Sequence, residues 1–330
     1  MSDTEQQRFV ILDSNALIHR SYHALPDLST KNGTQVNAVY GYVAVLLKVL
    51  RELQPTYIGA AFDLEGPTFR DEMYEAYKAQ REKSDQALYD QIPLTKEVLN
   101  SFGIPVLTAE GYEADDVIGT VAARMNEEYP HVEVIIVTGD MDTMQLVNEQ
   151  TKVFSLRKGV KDTVIYDVQG VQEKYGLNPD QVADFKGLKG DPSDNIPGVS
   201  GIGDKTAQKI LAHFQDLDSL YETLNTTEGY EELSAEDQAP ISQKVYTKLR
   251  QSEEQARFSK ELATINCEVP LEFTLTEYAV EDFDRNTIAH TLREYEFDSL
   301  ISRLDEILGE SDEEHTSHES AETSDTLPLN

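Results

Sequence analysis

The sequence predicts an α/β fold: a mostly parallel sheet with helices on both faces, followed by a smaller helical unit. Three observations carry this reading. Short apolar runs alternate with stretches of helical spacing through the first half of the chain. Three of those runs end directly in an acid. From residue 175 to about 260 the β-pattern gives way to helical spacing, broken by the Gly/Pro-rich run GLKGDPSDNIPGVSGIGDKTA at 187–207. Strands that alternate with helices pair in parallel, and the crossovers place helices on both faces.

The elements follow in order. RFVILD at 8–13 is a short apolar run ending in an acid, the pattern of a buried strand. Residues 36–53 repeat apolar side chains at helical spacing. YIGAAFD at 57–63 is a second strand ending in an acid, and IPVL at 104–107 a third, shorter one. Residues 114–125 read as a helix. VEVIIVTGD at 132–140 is the clearest strand, with four consecutive apolar residues. KVFSL at 152–156 and TVIYD at 163–167 complete the sheet. After Val269 one more helical stretch, IAHTLREYEFDSLISRLDEIL, is expected to pack back on the first unit. The expected units are 8–172 (α/β), 173–260 (helical) and 261–308 (the returning segment). Residues 309–330 carry seven acids and no Lys or Arg, and lack the apolar surface to offset ordering entropy, so a disordered acidic tail is expected there.

The 330 residues carry 28 Lys and Arg against 61 Asp and Glu, a formal charge of −33. The single cysteine, Cys267, forms no internal disulfide, which favours a reducing, intracellular setting. It lies in a Glu/Pro-flanked, strand-like stretch and reads as structural. No signal pattern opens the chain, and YVAVLLKVL from Tyr42 is far too short to span a bilayer, so a membrane protein is not expected. Taken whole, the acidity argues against a nucleic-acid binder, since those are usually basic. The positions of the acids change that inference.

Asp13, Asp63 and Asp140 each follow an apolar strand, so parallel strands carry all three to one edge of the sheet. Asp142 lies two residues beyond Asp140. GYEADD adds Glu113, Asp115 and Asp116 at the start of a helix. Acids capping helix N-termini would account for Asp115 or Asp140 singly. They do not account for the set, because converging carboxylates repel and raise one another's pKa values. Cations relieve that repulsion. Oxygen-only ligands without His or Cys select hard ions, Mg²⁺ or Mn²⁺. Two such ions clamp the attacking and leaving oxygens of an in-line phosphoryl displacement. GDPSDN contributes Asp191 and Asp194 in a turn-rich loop, where a plain turn would otherwise be the favoured reading.

The ordered set LDSNALIHRSYHAL, AAFD, YKAQR, GYEADD, TGDMD, GDPSDNIPGVSGIGDKTA and LREYEFDSL resembles the bacterial 5′-nuclease family. That family comprises the N-terminal 5′→3′ exonuclease domain of DNA polymerase I and its stand-alone relatives in the flap endonuclease group. The resemblance runs from about residue 8 to 308. It implies a PIN-like nuclease domain and a helix–three-turn–helix DNA-binding module. Carried over by motif, one metal group is Asp13, Asp63, Glu113 and Asp115. The second is Asp116, Asp140, Asp142, Asp191 and Asp194. Ser14 and Asn15 stand where the family often has a glycine after the first acid.

The resemblance also implies how so acidic a chain holds DNA. Tyr77, Lys78 and Arg81 lie on a predicted helix, where the family's arch contacts the scissile phosphate with Lys and Arg and stacks an aromatic on a base. Lys78 and Arg81 are the expected catalytic cations; Arg20 and Tyr22 are placed similarly after the first strand. Gly201, Gly203, Lys205 and Thr206 match the family's duplex-binding hairpin, which often holds K⁺. Glycines there let a phosphate approach backbone N–H groups, although two glycines alone would more commonly mark a tight turn. Between Lys152 and Lys209 nine Lys and Arg face eight acids, so this stretch is locally basic. Phosphate contact of this kind gives little sequence specificity and strong salt dependence.

The expected function is therefore a two-metal 5′→3′ exonuclease and structure-specific flap endonuclease of replication and repair. The expected substrate is DNA with a 5′ end or flap beside duplex, RNA-primed strands included. The expected protein is a cytoplasmic, nucleoid-associated monomer, linked to or cooperating with a DNA polymerase. Two alternatives are a PIN-like ribonuclease, which the hairpin module disfavours, and a non-catalytic DNA-junction binder, which the full carboxylate set disfavours.

Overall fold

The computed structural model describes residues 6–81, 85–157 and 162–309; the acidic tail from 310 onward lies outside them. Six strands form one sheet: β1 Arg8–Asp13, β2 Tyr57–Ala61, β3 Val106–Leu107, β4 Glu133–Thr138, β5 Thr151–Leu156 and β6 Thr163–Tyr166. The order is β3-β2-β1-β4-β5-β6. All pairings are parallel except β5 with β6, which is antiparallel at the edge.

Alternation along the central strands sends side chains to two separate cores. Val10 and Leu12 of β1, with Ile135 and Val137 of β4, pack into a cluster with the helices Asn37–Leu53 and Gln91–Ser101. Phe9 and Ile11, with Val134 and Ile136, pack on the other face against the helix Ala114–Glu128. Both faces are dry, which is why these strands read as continuous apolar runs rather than alternating ones. The helices Arg285–Glu294 and Asp298–Leu308 return to the first face, contributing Ile288, Leu292, Leu300 and Leu304. A third core, including Leu188, Ile210, Leu211, Leu220 and Leu249, belongs to the helical unit.

The structure departs from the sequence reading at three points. Residues 75–80 are a run of turns, not a helix. Lys78 sits there at φ +53°, a conformation that a helix cannot contain. The third strand shrinks to two residues. The stretch around Cys267 is irregular, because its backbone groups bond to Asp116 and Thr120 instead of a strand partner. Among the described residues, no helix is long and apolar enough to cross a membrane.

Candidate metal centre

Asp13 is the last residue of β1, and Asp63 and Asp140 lie two residues past the ends of β2 and β4. Since β1 pairs in parallel with both neighbours, all three acids reach the same edge. Asp13 also caps the helix Ser14–Ala24, accepting from the Ala16 N–H. Its other oxygen accepts from the Thr138 hydroxyl at 2.5 Å. The carboxyl is buried, and burial, with the Asp140 charge adding to it, pushes its pKa up to about 7 despite the Thr138 bond. Asp63 accepts from the Ala114 N–H at 2.7 Å, while its own N–H donates to Asn15 Oδ1 at 3.3 Å. Ser14, where the family often has glycine, is buried with its hydroxyl 2.9 Å from that of Tyr42, and Asn15 after it holds the Asp63 backbone.

Two carboxylate groups form at this edge. Oxygens of Glu113, Asp115 and Asp116 lie within 4.8 Å of one another, and so do oxygens of Asp142, Asp191 and Asp194. Asp116 therefore stands with Glu113 and Asp115, not in the second group where the motif reading put it. The reason is local: it is one residue from Asp115 on the first turn of the helix Ala114–Glu128. Asp115 is raised well above the ordinary carboxylate range, chiefly by burial and then by the Asp116 charge. Its buried Oδ1 accepts no hydrogen bond. Asp142 is pushed up to about 6 by burial, with Lys186 pulling against it. Burial works upward on Asp191 too, but Lys186 and Ser193 outweigh it and bring the carboxyl to about 2.

A tight loop presents Asp191 and Asp194. Its two ends exchange backbone hydrogen bonds between Asp191 and Ile196, 2.8 Å each. Gly190 and Gly198 close its neck, both at positive φ, and a Cβ on Gly198 would lie 2.1 Å from the Gly190 nitrogen. Only glycine fits such a contact.

Each group is faced by cations. Lys78 bonds Glu113 and Arg81 bonds Asp194. Both come from the turn segment, which docks on the acid loop through the Lys78 N–H to the Asp194 carbonyl (3.0 Å) and Asn195 Nδ2 to the Ala76 carbonyl (2.6 Å). Tyr77, expected to stack on a base, is instead 5 % exposed and donates to Glu113 Oε2 at 3.1 Å. Its ring packs with Ile196 and Leu262, so it is not presented for stacking. Arg20 runs alongside Gly139 and bonds the Arg157 carbonyl, while the Tyr22 hydroxyl donates to Asp85 at 3.2 Å.

Two cations escaped the sequence reading. Lys186, almost fully buried, bonds both Asp142 and Asp191. Arg70, 2 % exposed, forms a two-pronged pair with Asp116 at 2.7 and 2.8 Å and reaches Glu113 at 3.2 Å. No local pattern marks either residue, since each partner lies far away in sequence, except Asp191.

At the hairpin, Gly201 and Gly203 are exposed, Gly203 caps the helix Asp204–Phe214, and Lys205 projects to solvent with Thr206 beside it. Lys248 donates to the Ser200 carbonyl at 2.6 Å, directly over Gly201.

A hard divalent cation fits these residues. The donors are carboxylate oxygens, each group holds one acid that burial destabilises as an anion, Asp115 in the first and Asp142 in the second, and Asp115 Oδ1 is aimed nowhere else. Glu113 and Asp115, with Asp13 and Asp63, would hold one ion. Asp142, Asp191 and Asp194, with Asp140, would hold the other.

A family model described as "5'-3' exonuclease, N-terminal resolvase-like domain" matches residues 8–176. A second, "5'-3' exonuclease, C-terminal SAM fold", matches residues 177–286. DNA polymerase I of Bacillus subtilis is 38% identical over 313 residues, covering 95% of this chain and 34% of the relative. DNA polymerase I of Chloroflexus aurantiacus is 40% identical over 307 residues, covering 91% and 31%. The chain thus spans about a third of the length of these curated relatives. Among solved structures, T5 D15 protein co-crystallized with metal ions superposes with a TM-score of 0.63 at 19% identity, over 92% of this chain and 100% of that one. The catalytic core of Rad2 in complex with DNA substrate superposes with a TM-score of 0.56 at 18% identity, over 92% of each. These two likenesses show the fold.

Proposed function

Because the chain belongs to the 5′-3′ exonuclease family, whose members are hydrolytic nucleases, we propose that it cleaves DNA at a 5′ end or flap beside duplex, by a two-metal mechanism. The observation that carries this reading is the pair of carboxylate groups at one sheet edge, each faced by a cation from one turn segment.

Mg²⁺, with Mn²⁺ able to substitute, is the fitting ion; bound there it would lower the pKa of an attacking water and offset charge on the leaving 3′-oxygen. The chain's own residues do the remainder. Lys78 and Arg81 exchange their carboxylate partners for the scissile phosphate, so the cations are already in place when substrate arrives. Arg20, beside Gly139, adds positive charge next to Asp140, while Tyr22, two residues further along the same helix, reaches Asp85. The exposed backbone at Gly201 and Gly203, with Lys205 and Thr206, holds the duplex by its phosphates, and K⁺ at the hairpin carbonyls would support that contact. RNA-primed strands fit the same phosphate-based recognition. A monomer suffices for this arrangement, and work alongside a polymerase suits the relatives' larger size.

One assay tests the reading: end-labelled 5′ flap, blunt duplex, single-stranded DNA and an RNA-primed strand, each with Mg²⁺ and with chelator. Cleavage of the flap at the junction, only with Mg²⁺, is the expected result. Metal-independent cutting, or no preference for flap over single strand, refutes it.

A further inference from the structure

Residues 262–266 run as a strap between the two carboxylate groups. On one side stands Arg70, whose five guanidinium N–H groups make five hydrogen bonds. Nε donates to the Leu262 carbonyl (3.0 Å), Nη1 to Glu113 (3.2 Å) and Asp116 (2.7 Å), and Nη2 to Asp116 (2.8 Å) and the Thr264 carbonyl (2.9 Å). Asp116 completes the junction. A carboxylate offers about four acceptor sites, and Asp116 uses them on two Arg70 nitrogens, the Asn266 N–H (2.8 Å) and the Glu113 N–H (3.1 Å).

On the other side stands Gln145, on the short turn of helix Asp142–Leu146. Its Nε2 donates to the Ala263 carbonyl at 3.1 Å and to the Asp142 carbonyl at 3.1 Å; its Oε1 accepts from the Ile265 N–H at 2.9 Å. The strap is therefore bonded alternately to the two groups. It also continues from the helix Glu253–Ala263, whose Ser259 hydroxyl accepts from the Gly198 N–H at 3.0 Å, at the neck of the loop carrying Asp191 and Asp194.

We propose that Arg70 and Gln145 are positioning residues that clamp this strap and so set the separation of the two carboxylate groups, and that Asp116 serves the clamp instead of an ion. A buried ion pair of this kind contributes little net stability over an apolar pair, because desolvation offsets its attraction. What it supplies is geometry: a planar fork admits one arrangement of its partners. Glu113 is held by the same fork, whereas Asp115 Oδ1 beside it is left without a partner and open to a cation. Arg70 is too deeply buried to meet DNA. The inference rests on the reading of the other carboxylates as metal ligands.

Direct Mn²⁺ titration, following free Mn²⁺ by electron paramagnetic resonance, tests it beside steady-state kinetics and thermal unfolding. Arg70→Lys keeps the charge but cannot make five bonds in a plane. It is expected to weaken Mn²⁺ binding about tenfold or more, in the range of lost outer-shell partners, and to lower kcat while KM for the flap duplex stays within about threefold. Gln145→Leu, which frees the opposite side of the strap, is expected to show the same signature and decides the matter if Arg70→Lys does not fold. Asp116→Asn is expected to retain two Mn²⁺ per chain with weakened affinity; loss of one ion outright makes Asp116 a ligand and overturns its assignment. Unfolding at lower temperature with wild-type Mn²⁺ affinity and kcat overturns the clamp, as does a raised KM with unchanged kcat. Asp115→Asn is the control. Wild-type Mn²⁺ binding by that variant overturns the metal reading and this inference with it, whereas a deficient Asp115→Asn beside a normal Arg70→Lys overturns the inference alone.

Discussion

The backbone N–H of Lys78 donates to the carbonyl of Asp194 at 3.0 Å. One hydrogen bond thus joins a segment carrying cations to a loop carrying acids, 116 residues further along the chain. Lys78 adopts a left-handed conformation to make it. From that point its ammonium reaches Glu113 in the other acid group.

Lys78→Ala should therefore slow cleavage far more than it weakens duplex binding. Loss of a cation aimed at a phosphate costs about a hundredfold in rate, whereas the duplex affinity, set at the hairpin, should change less than about threefold. Single-turnover rates and equilibrium binding to the same flap substrate separate the two. Equal losses in both would place Lys78 on the duplex-binding surface.

Asp115→Asn should abolish cleavage and leave junction binding largely intact. Losing a ligand forfeits several kcal/mol of charge stabilisation, at least about a hundredfold in rate. A variant cutting the 5′ flap at the wild-type rate would show that the acids do not hold catalytic ions.

Stability should fall with rising pH in the absence of metal, and metal should offset that fall. Asp13 and Asp142 titrate near 7 and 6 in the folded chain, well above an unfolded aspartate. The folded state binds more protons than the unfolded one between roughly pH 4 and 7, so their contribution to stability is full below about 4 and is lost as pH rises through 6 and 7. Asp191, held near 2, works the other way: its contribution is present above about 4 and is lost as pH falls through 2. The thermal unfolding midpoint in chelator should therefore fall from pH 5 to pH 7, and Mg²⁺ should raise it more at pH 7 than at pH 5. An equal Mg²⁺ effect at both pH values would count against ion binding at these acids.

Gly198→Ala should cost about 2 kcal/mol or more, because the backbone is left-handed and the new methyl meets the Gly190 nitrogen, which cannot swing aside. Denaturant titration measures that cost. The same variant should lose activity while still folding, since the loop it distorts presents Asp191 and Asp194.

Much of this arrangement was legible in the sequence. Asp13, Asp63 and Asp140 could be placed at one edge because an apolar run ending in an acid identifies both a buried strand and its end. Glu113, Asp115 and Asp142 followed from their places at a helix start and just past a strand, whereas Asp191 and Asp194, whose bare spacing reads as a plain turn, joined them only through the family resemblance. What was not legible is pairing across long separations. Asp116 looked like any other acid of GYEADD until Arg70 and the 266 backbone filled its oxygens. The turns at 75–80 looked helical because Lys78 and Arg81 are three apart, a spacing that a succession of turns bonded to a distant loop can also satisfy. Lys186 carried half of a signal, five residues before Asp191, but its bond to Asp142 is a tertiary fact.

The strap lies later in the chain than every acid it holds in register. A chain emerging from the ribosome folds its front portion first, so Asp13 through Asp142 can be in place well before residue 266 exists. On the proposed clamp, the two halves of the centre gain their spacing only when residues 262–266 dock, a contact closing a loop of almost two hundred residues between Arg70 and Thr264. On that clamp and the proposed function, competence to cut follows the docking of residue 266, and a nascent or partly unfolded molecule is a silent one.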